Sequence, residues 1–169
     1  MEVSPGIKRT AVLILLRNED RFLLIKRLRE PNRDTYTPVG GKLDPFEDPL
    51  AAAIRETWEE TGIEVSRLKY CGTLVETSPT LYNWTSFVYV TDIEYVTPPE
   101  CQEGTLEWIP VTGLLSVPTP KTDWYIYQSV LENKPFLFRA MYDQDLHLLI
   151  LAEEIEGKVV KLETGTTFH

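Results

Sequence analysis

Cysteine is scarce in this 169-residue chain, with Cys71 and Cys101 the two present. Two are too few for a disulfide framework, and these lie too far apart in sequence for a zinc clip, so both are expected to be reduced packing thiols. Long apolar runs are missing as well. The run Ala11–Leu16 is far too short to span a bilayer, and Met1 to Lys8 lacks the charged-then-apolar pattern of a signal peptide. A soluble cytoplasmic protein without a membrane partner is expected. Cations are the minority: 17 Lys and Arg face 26 Asp and Glu, for a net charge of −9 at pH 7. Such a field repels duplex DNA and anionic membranes, which disfavours a nucleic-acid polymer as partner. A small anionic substrate stays compatible, because divalent cations held by carboxylates reverse the local field inside a cleft.

What is present is ordinary for a globular chain. Hydrophobic residues make up 43%, charged residues 25% and aromatics 11%, which suits one domain over residues 1–169 with a sizeable core. The apolar runs Thr10–Leu16 and Arg21–Arg27 flank the polar turn Arg17-Asn18-Glu19-Asp20 and predict a hairpin of buried strands. A loop over Leu28–Thr35 leads to a short strand Tyr36–Val39, which Gly40-Gly41 is expected to end. Asp48-Pro49 followed by Leu50-Ala51-Ala52-Ala53-Ile54 predicts a helix with an N-cap carboxylate and proline at its first position, stopped by Gly62. Further strands are predicted over Lys69–Glu76, Ser86–Val96, Thr105–Ile109, Phe136–Tyr142, Leu146–Leu151 and Lys158–Leu162, with a second helix over Asp123–Asn133. No repeat or linker interrupts them, so the expected fold is α/β, one mixed sheet covered by helices.

The segment that carries chemistry surrounds the first helix. At about 100° per residue, Ala52, Glu56, Glu59 and Glu60 fall in one arc, and Leu50, Ile54, Thr57, Trp58 and Thr61 are expected on the opposite, packing side. Like charges three and four residues apart repel, so something positive should offset them. Hard oxygen donors suit Mg²⁺ or Mn²⁺, which bind one or two carboxylates and complete their shell with water and substrate phosphate. A glutamate pair on a helix is ordinarily a solvated face. Here Gly41, Glu47, Arg55, Glu56, Glu59, Glu60 and Gly62 stand at fixed intervals, a coincidence on the order of once per 10⁸ start positions at background frequencies.

These residues carry a resemblance. The pattern Gly41-x5-Glu47-x7-Arg55-Glu56-Thr57-x-Glu59-Glu60-x-Gly62-Ile63 resembles the complete Nudix box, departing from it at Thr57, where an aliphatic residue is usual. The resemblance implies an α/β/α sandwich around a mixed β-sheet and an Mg²⁺-dependent hydrolase of nucleoside diphosphate linkages, with Mn²⁺ as the other cation. It makes the Gly40 carbonyl, Glu56, Glu59 and Glu60 metal ligands, with Arg55 and Glu47 holding loop and helix together. One further acid from outside the box is implied, with Glu103 ahead of Glu100. Glu56, oriented by Arg55, or Glu103 accepts the proton of the attacking water.

Lys26 and Arg27 end the second strand near the implied cleft and are candidates for holding phosphates. Tyr36, Thr37, Tyr82, Trp84, Asp123 and Trp124 are candidates for a base pocket, since they combine flat apolar surfaces with hydrogen-bonding groups. Cys101-Gln102-Glu103-Gly104-Thr105 through Pro110, then Glu132-Asn133-Lys134-Pro135-Phe136, are similar to the oxidised-purine branch of that family. The branch includes mutT-like 8-oxo-dGTP diphosphatases, which release nucleoside monophosphate and pyrophosphate. Asp123 matches its acidic purine-reading position, and Thr37 replaces an asparagine that some members use to read the base. Rival substrates are ADP-ribose, a nucleotide sugar or an ordinary nucleoside triphosphate. A non-catalytic ligand sensor of the same fold is the rival from another class, and the intact Glu56, Glu59 and Glu60 argue against it.

Overall fold

Alternation along the first two strands sets the architecture. In β1 (Arg9–Asn18) Val12, Ile14 and Leu16 join one buried cluster while Leu13 and Leu15 join another; in β2 (Arg21–Arg27) Leu23 and Ile25 are divided in the same way from Phe22 and Leu24. Both faces are buried, which is why these strands read as continuous apolar runs. The computed structural model describes residues 4–162. Its order continues with β3 (Tyr36–Thr37), β4 (Val39–Lys42), α1 (Pro49–Thr61), β5 (Lys69–Thr77), β6 (Trp84–Asp92), β7 (Gly104–Pro110), α2 (Lys121–Leu131), β8 (Phe136–Tyr142), β9 (Leu148–Glu153) and β10 (Lys158–Leu162). Helix α1 covers one sheet face through Ala52 and Ala53, and α2 covers the other through Ile126, Tyr127 and Val130. The expected sandwich around a mixed sheet is therefore present. No helix among the described residues is long and apolar enough to cross a membrane.

The sheet runs β10-β9-β8-β5-β6-β1-β2-β3, with β4 added to β1 and β7 to β2. Along one edge β1 pairs in parallel with β6 from Arg9–Trp84 to Arg17–Asp92. Its other edge is divided. Leu16–Asn18 pair with β2, whereas Ala11–Ile14 pair with β4, so β2 and β4 part from each other and open a fork in the sheet. That fork positions the site.

Several expected boundaries move. Gly40 and Gly41 do not end a strand; they lie inside β4, opposite Leu13 and Val12. A Cβ at Gly40 would come within 2.1 Å of the Val12 carbonyl oxygen, so glycine is what lets this strand approach β1. Strand β6 begins at Trp84 and stops at Asp92, α2 begins at Lys121, and β9 begins at Leu148 after a left-handed Leu146. The ends of α1 follow expectation: Asp48 Oδ1 accepts from the Leu50 and Ala51 amides at 2.9 and 3.0 Å, and Gly62, at φ 68°, closes the helix. Its packing side follows in part, through Thr57 and Thr61, and is otherwise shifted onto Ala52 and Ala53. Ala52, Ala53, Thr57 and Thr61 are buried, while Trp58 and Leu50 are 53% and 43% exposed. Small residues bring α1 close to the sheet, which leaves no room there for an indole. Thr57 buries its methyl and returns its hydroxyl to the Ala53 carbonyl at 2.7 Å, so the polar atom is satisfied locally.

Candidate active site

The turn between β4 and α1 is built on one guanidinium. Arg55 donates from Nε and Nη2 to both Glu47 oxygens at 2.8 Å, from Nη2 to the Lys42 carbonyl at 3.0 Å, and from Nη1 to Glu56 at 2.7 Å and Glu59 at 3.1 Å. A planar fork satisfies these directions together, and an ammonium does not. Arg55 and the Asp44 amide hold the Glu47 carboxyl down at about 2. Arg55 itself is held in its charged form, by Glu47 first and then by Glu56.

Two glutamates sit deeper than expected, because the carboxylate arc turns partly toward the sheet. Glu60 accepts from the Gly40 amide at 3.1 Å, and burial, then the like charges of Glu103 and Glu56, push its carboxyl up to about 8. Burial also raises Glu56, against the opposing pull of Arg55. Glu59 is exposed and touches the site through Arg55. Glu103, in the turn before β7, reaches the same cleft, where Arg27 Nη1 lies 3.9 Å from its carboxylate. Glu100 pairs with Thr105 in a backbone bridge and does not line the cleft.

This donor set fits a divalent cation. The groups are hard oxygens, two of them carry charge that burial leaves poorly met, and Gly41 adds a steric requirement. A Cβ at Gly41 would fall 2.3 Å from the Glu56 carboxyl carbon. The glutamates are not drawn into one knot, since Arg55 stands between Glu56 and Glu59 and Glu60 turns to Gly40. Among the described residues, three His, Cys, Asp or Glu ligand atoms lie within 4.8 Å of one another only at Asp143, Asp145 and His147, a turn closed by the Asp143 carboxylate. Gly41→Ala tests the steric requirement. The atoms displaced are the far end of the Glu56 side chain, which Arg55 also holds, so the melting temperature should fall only slightly while Mg²⁺ affinity falls about 10–100-fold, read by titration calorimetry. Unchanged affinity would remove the proposed role of Gly41.

From the fork a cleft of about 900 Å³ extends over the α2 side of the sheet. Thr37, Tyr82, Trp84 and Asp123 line it, as does Arg27. Lys26, Tyr36 and Trp124 do not. Tyr36 turns into the core and donates to Glu107 at 2.9 Å, Lys26 lies over the Tyr36 ring, and Trp124 faces a separate groove beside Leu115 and Tyr125. Lys26 has the charge for phosphates, and Tyr36 and Trp124 the chemistry for a base pocket, but strand alternation and helix phase aim them elsewhere. Thr37 is 6% exposed and its Oγ1 has no partner. Asp123 is buried in the first turn of α2, and burial, then the Glu76 charge, pushes its carboxyl up to about 8.

Three cleft residues escaped the sequence reading. Arg9 stacks its guanidinium 3.9 Å from the Trp84 ring centroid, and Glu76 is bonded by the Tyr82 and Tyr142 hydroxyls. A signal for Glu76 existed: it follows Leu74 by two positions, so an acid continues the inward face of β5. Arg9 and Tyr142 gave none, as strand-end residues of their types are ordinary surface groups.

Comparison with known proteins yields a match to the NUDIX domain over residues 7–131. The uncharacterized Nudix hydrolase YvcI of Bacillus subtilis is 29% identical over 129 residues, covering 73% of this chain and 79% of that protein. The mutator MutT protein of Bacillus halodurans superposes with a TM-score of 0.77 at 24% identity, covering 87% of this chain and 98% of that one. The NUDIX domain of Shewanella oneidensis NrtR, solved with ADP ribose, superposes with a TM-score of 0.65 at 17% identity, covering 75% and 88%.

Proposed function

Because the chain belongs to the NUDIX domain family and is a Nudix hydrolase, we propose that it converts a nucleoside triphosphate to the monophosphate and pyrophosphate, with an oxidised purine nucleotide such as 8-oxo-dGTP preferred. The observation that carries this reading is the two-ended cleft. One end gathers Glu56, Glu60 and Glu103, and the other offers buried polar groups, Asp123 and the unpartnered Thr37 hydroxyl, suited to a base edge.

In this reading Glu56, Glu60, the Gly40 carbonyl and Glu103 would hold Mg²⁺, with Mn²⁺ as substitute, and Glu59 would join them by turning from Arg55. When bound, the cation supplies charge for the phosphate oxygens and makes water a stronger nucleophile. The proton of the attacking water needs a carboxylate acceptor. Glu56 is engaged by Arg55 at 2.7 Å, whereas Glu103 has Arg27 at 3.9 Å, so Glu103 takes that role in addition to a ligand's, and Glu56 has the holding role alone. Arg27 meets the phosphates, and Asp123 and Thr37 orient the base.

The fold shared with a domain solved with ADP ribose supports a second reading, cleavage of a nucleoside diphosphate derivative. Products separate the two. Incubation with Mg²⁺ and 8-oxo-dGTP, dGTP or ADP-ribose should yield pyrophosphate from the first, whereas two monophosphates from ADP-ribose alone would favour the second. Asp123→Asn is expected to raise KM for 8-oxo-dGTP about tenfold with a smaller change in kcat, because a buried polar pairing is lost and the reacting groups are untouched. An unaltered KM would take Asp123 out of the base site.

A further inference from the structure

Strand β5 puts a carboxylate where its neighbours are apolar. Leu74 and Glu76 share the inward face, and the register sets Glu76 beside Trp84 on β6 and Ala140 on β8. The residue is 5% exposed and lines the cleft. A buried carboxylate needs partners, and here two phenols supply them. Tyr142 donates to Oε1 at 2.7 Å, while Tyr82 shares its hydroxyl between Oε1 and Oε2 at 3.2 and 3.3 Å. Oε2 is left with half of a shared bond. Tyr82 in turn meets Trp84 and Tyr142 edge to face, which fixes the clamp in place.

Asp123 lines the same cleft, with the Thr122 hydroxyl 3.5 Å from its Oδ1. It senses the Glu76 charge, which places the two acids within electrostatic reach. The cleft also holds donors, namely Arg9 with its buried, unpartnered Nε and the protonated carboxyl of Asp123, so the unmet acceptor is Glu76 Oε2, and a ligand complementary to it brings adjacent N–H groups. A 2-amino-6-oxopurine presents N1–H and the 2-amino group side by side; a 6-aminopurine puts an acceptor at N1. Oxidation at C8 leaves that edge intact.

We infer that Glu76, clamped by Tyr82 and Tyr142 at the buried end of the cleft it shares with Asp123, is a specificity-determining residue that accepts from the adjacent N–H donors of a 2-amino-6-oxopurine base. This rests on the reading that the cleft takes a nucleoside triphosphate, and the test separates the two. Binding of dGMP and of dIMP, which lacks only the 2-amino group, is measured by calorimetry in EDTA, alongside kcat/KM for dGTP and dITP with Mg²⁺. The wild type should favour the guanine member about tenfold in both assays, the scale on which a site built around a hydrogen bond rejects a ligand lacking it. Glu76→Gln, which replaces an acceptor by a donor at equal size, should bring both ratios near one while dIMP affinity holds. Retained dIMP binding reports an intact cleft. Should that variant not fold, Tyr142→Phe, which removes the shorter orienting bond, should give an intermediate ratio. Equal binding of dGMP and dIMP by the wild type, or a guanine preference untouched in the variants, overturns the inference. A Glu76-dependent preference in binding without triphosphate hydrolysis leaves the inference standing and overturns the proposed reaction.

Discussion

Glu60→Gln is expected to lower Mg²⁺-dependent kcat by about 10³-fold or more, a loss equivalent to several kcal/mol of charge stabilisation at phosphorus. The glutamine keeps the size of the side chain and can still accept from the Gly40 amide, so the fold should survive. Stability supplies a second readout. In metal-free protein the Glu60 carboxyl sits at about 8, against 4.5 ordinarily, and Asp123 at about 8, against 3.8. Below the ordinary range both groups are protonated whether the chain is folded or not, and nothing is lost. As pH rises toward 8 the unfolded chain releases these protons while the folded chain retains them, so folding stability falls across that window and levels off above it. Thermal melts in EDTA from pH 4 to 9 should show the decline, shallower in Glu60→Gln, and Mg²⁺ should flatten it in the wild type by favouring the ionised form. Wild-type turnover in Glu60→Gln would end the assignment of this carboxylate to the metal site.

Arg55→Lys should show the second-largest effect despite conserving charge. One guanidinium serves Glu47 at both oxygens, the Lys42 carbonyl, Glu56 and Glu59, and an ammonium has neither the reach nor the planar geometry to do so. Breaking a fully buried pair costs about 3–5 kcal/mol; Arg55 is 25% exposed and Glu59 is 55% exposed, so a loss of about 2 kcal/mol is expected in urea melts. Misplaced Glu56 and a loosened β4–α1 turn should lower kcat/KM about 10–100-fold, the range seen when residues behind metal ligands are changed. Wild-type values in both assays would show that bidentate geometry at Arg55 is dispensable.

The box was legible because its spacing is one-dimensional: cap, proline, carboxylates and stopping glycine all belong to a single helix and its turn. The sandwich was legible for a similar reason, in that two-faced strands such as Phe22–Ile25 show their burial in composition alone. What could not be read was the direction of side chains in three dimensions. Trp58 looked like core and faces water, since Ala52, Ala53 and Thr57 already fill the space beneath α1. Tyr36 and Trp124 looked like a base pocket and point away from the cleft, while Glu76, which strand alternation puts on the inward face with Leu74, shows its place in the cleft only once β5 is aligned between β6 and β8. The glycine pair illustrates the same limit: Gly-Gly reads as a turn, yet register with Leu13 and Val12 makes it a strand.

The fork along β1 has a consequence for how this protein can change. Bond cleavage is assigned to residues around the fork, on β4, α1 and the turn before β7, whereas recognition of the base is assigned mainly to β5, β6 and β8, beyond the opposite edge of β1, and to the start of α2. Diet and chemistry thus rest largely on different strands, Thr37 and Glu103 being the exceptions, and a new palate can be acquired with little disturbance to the teeth.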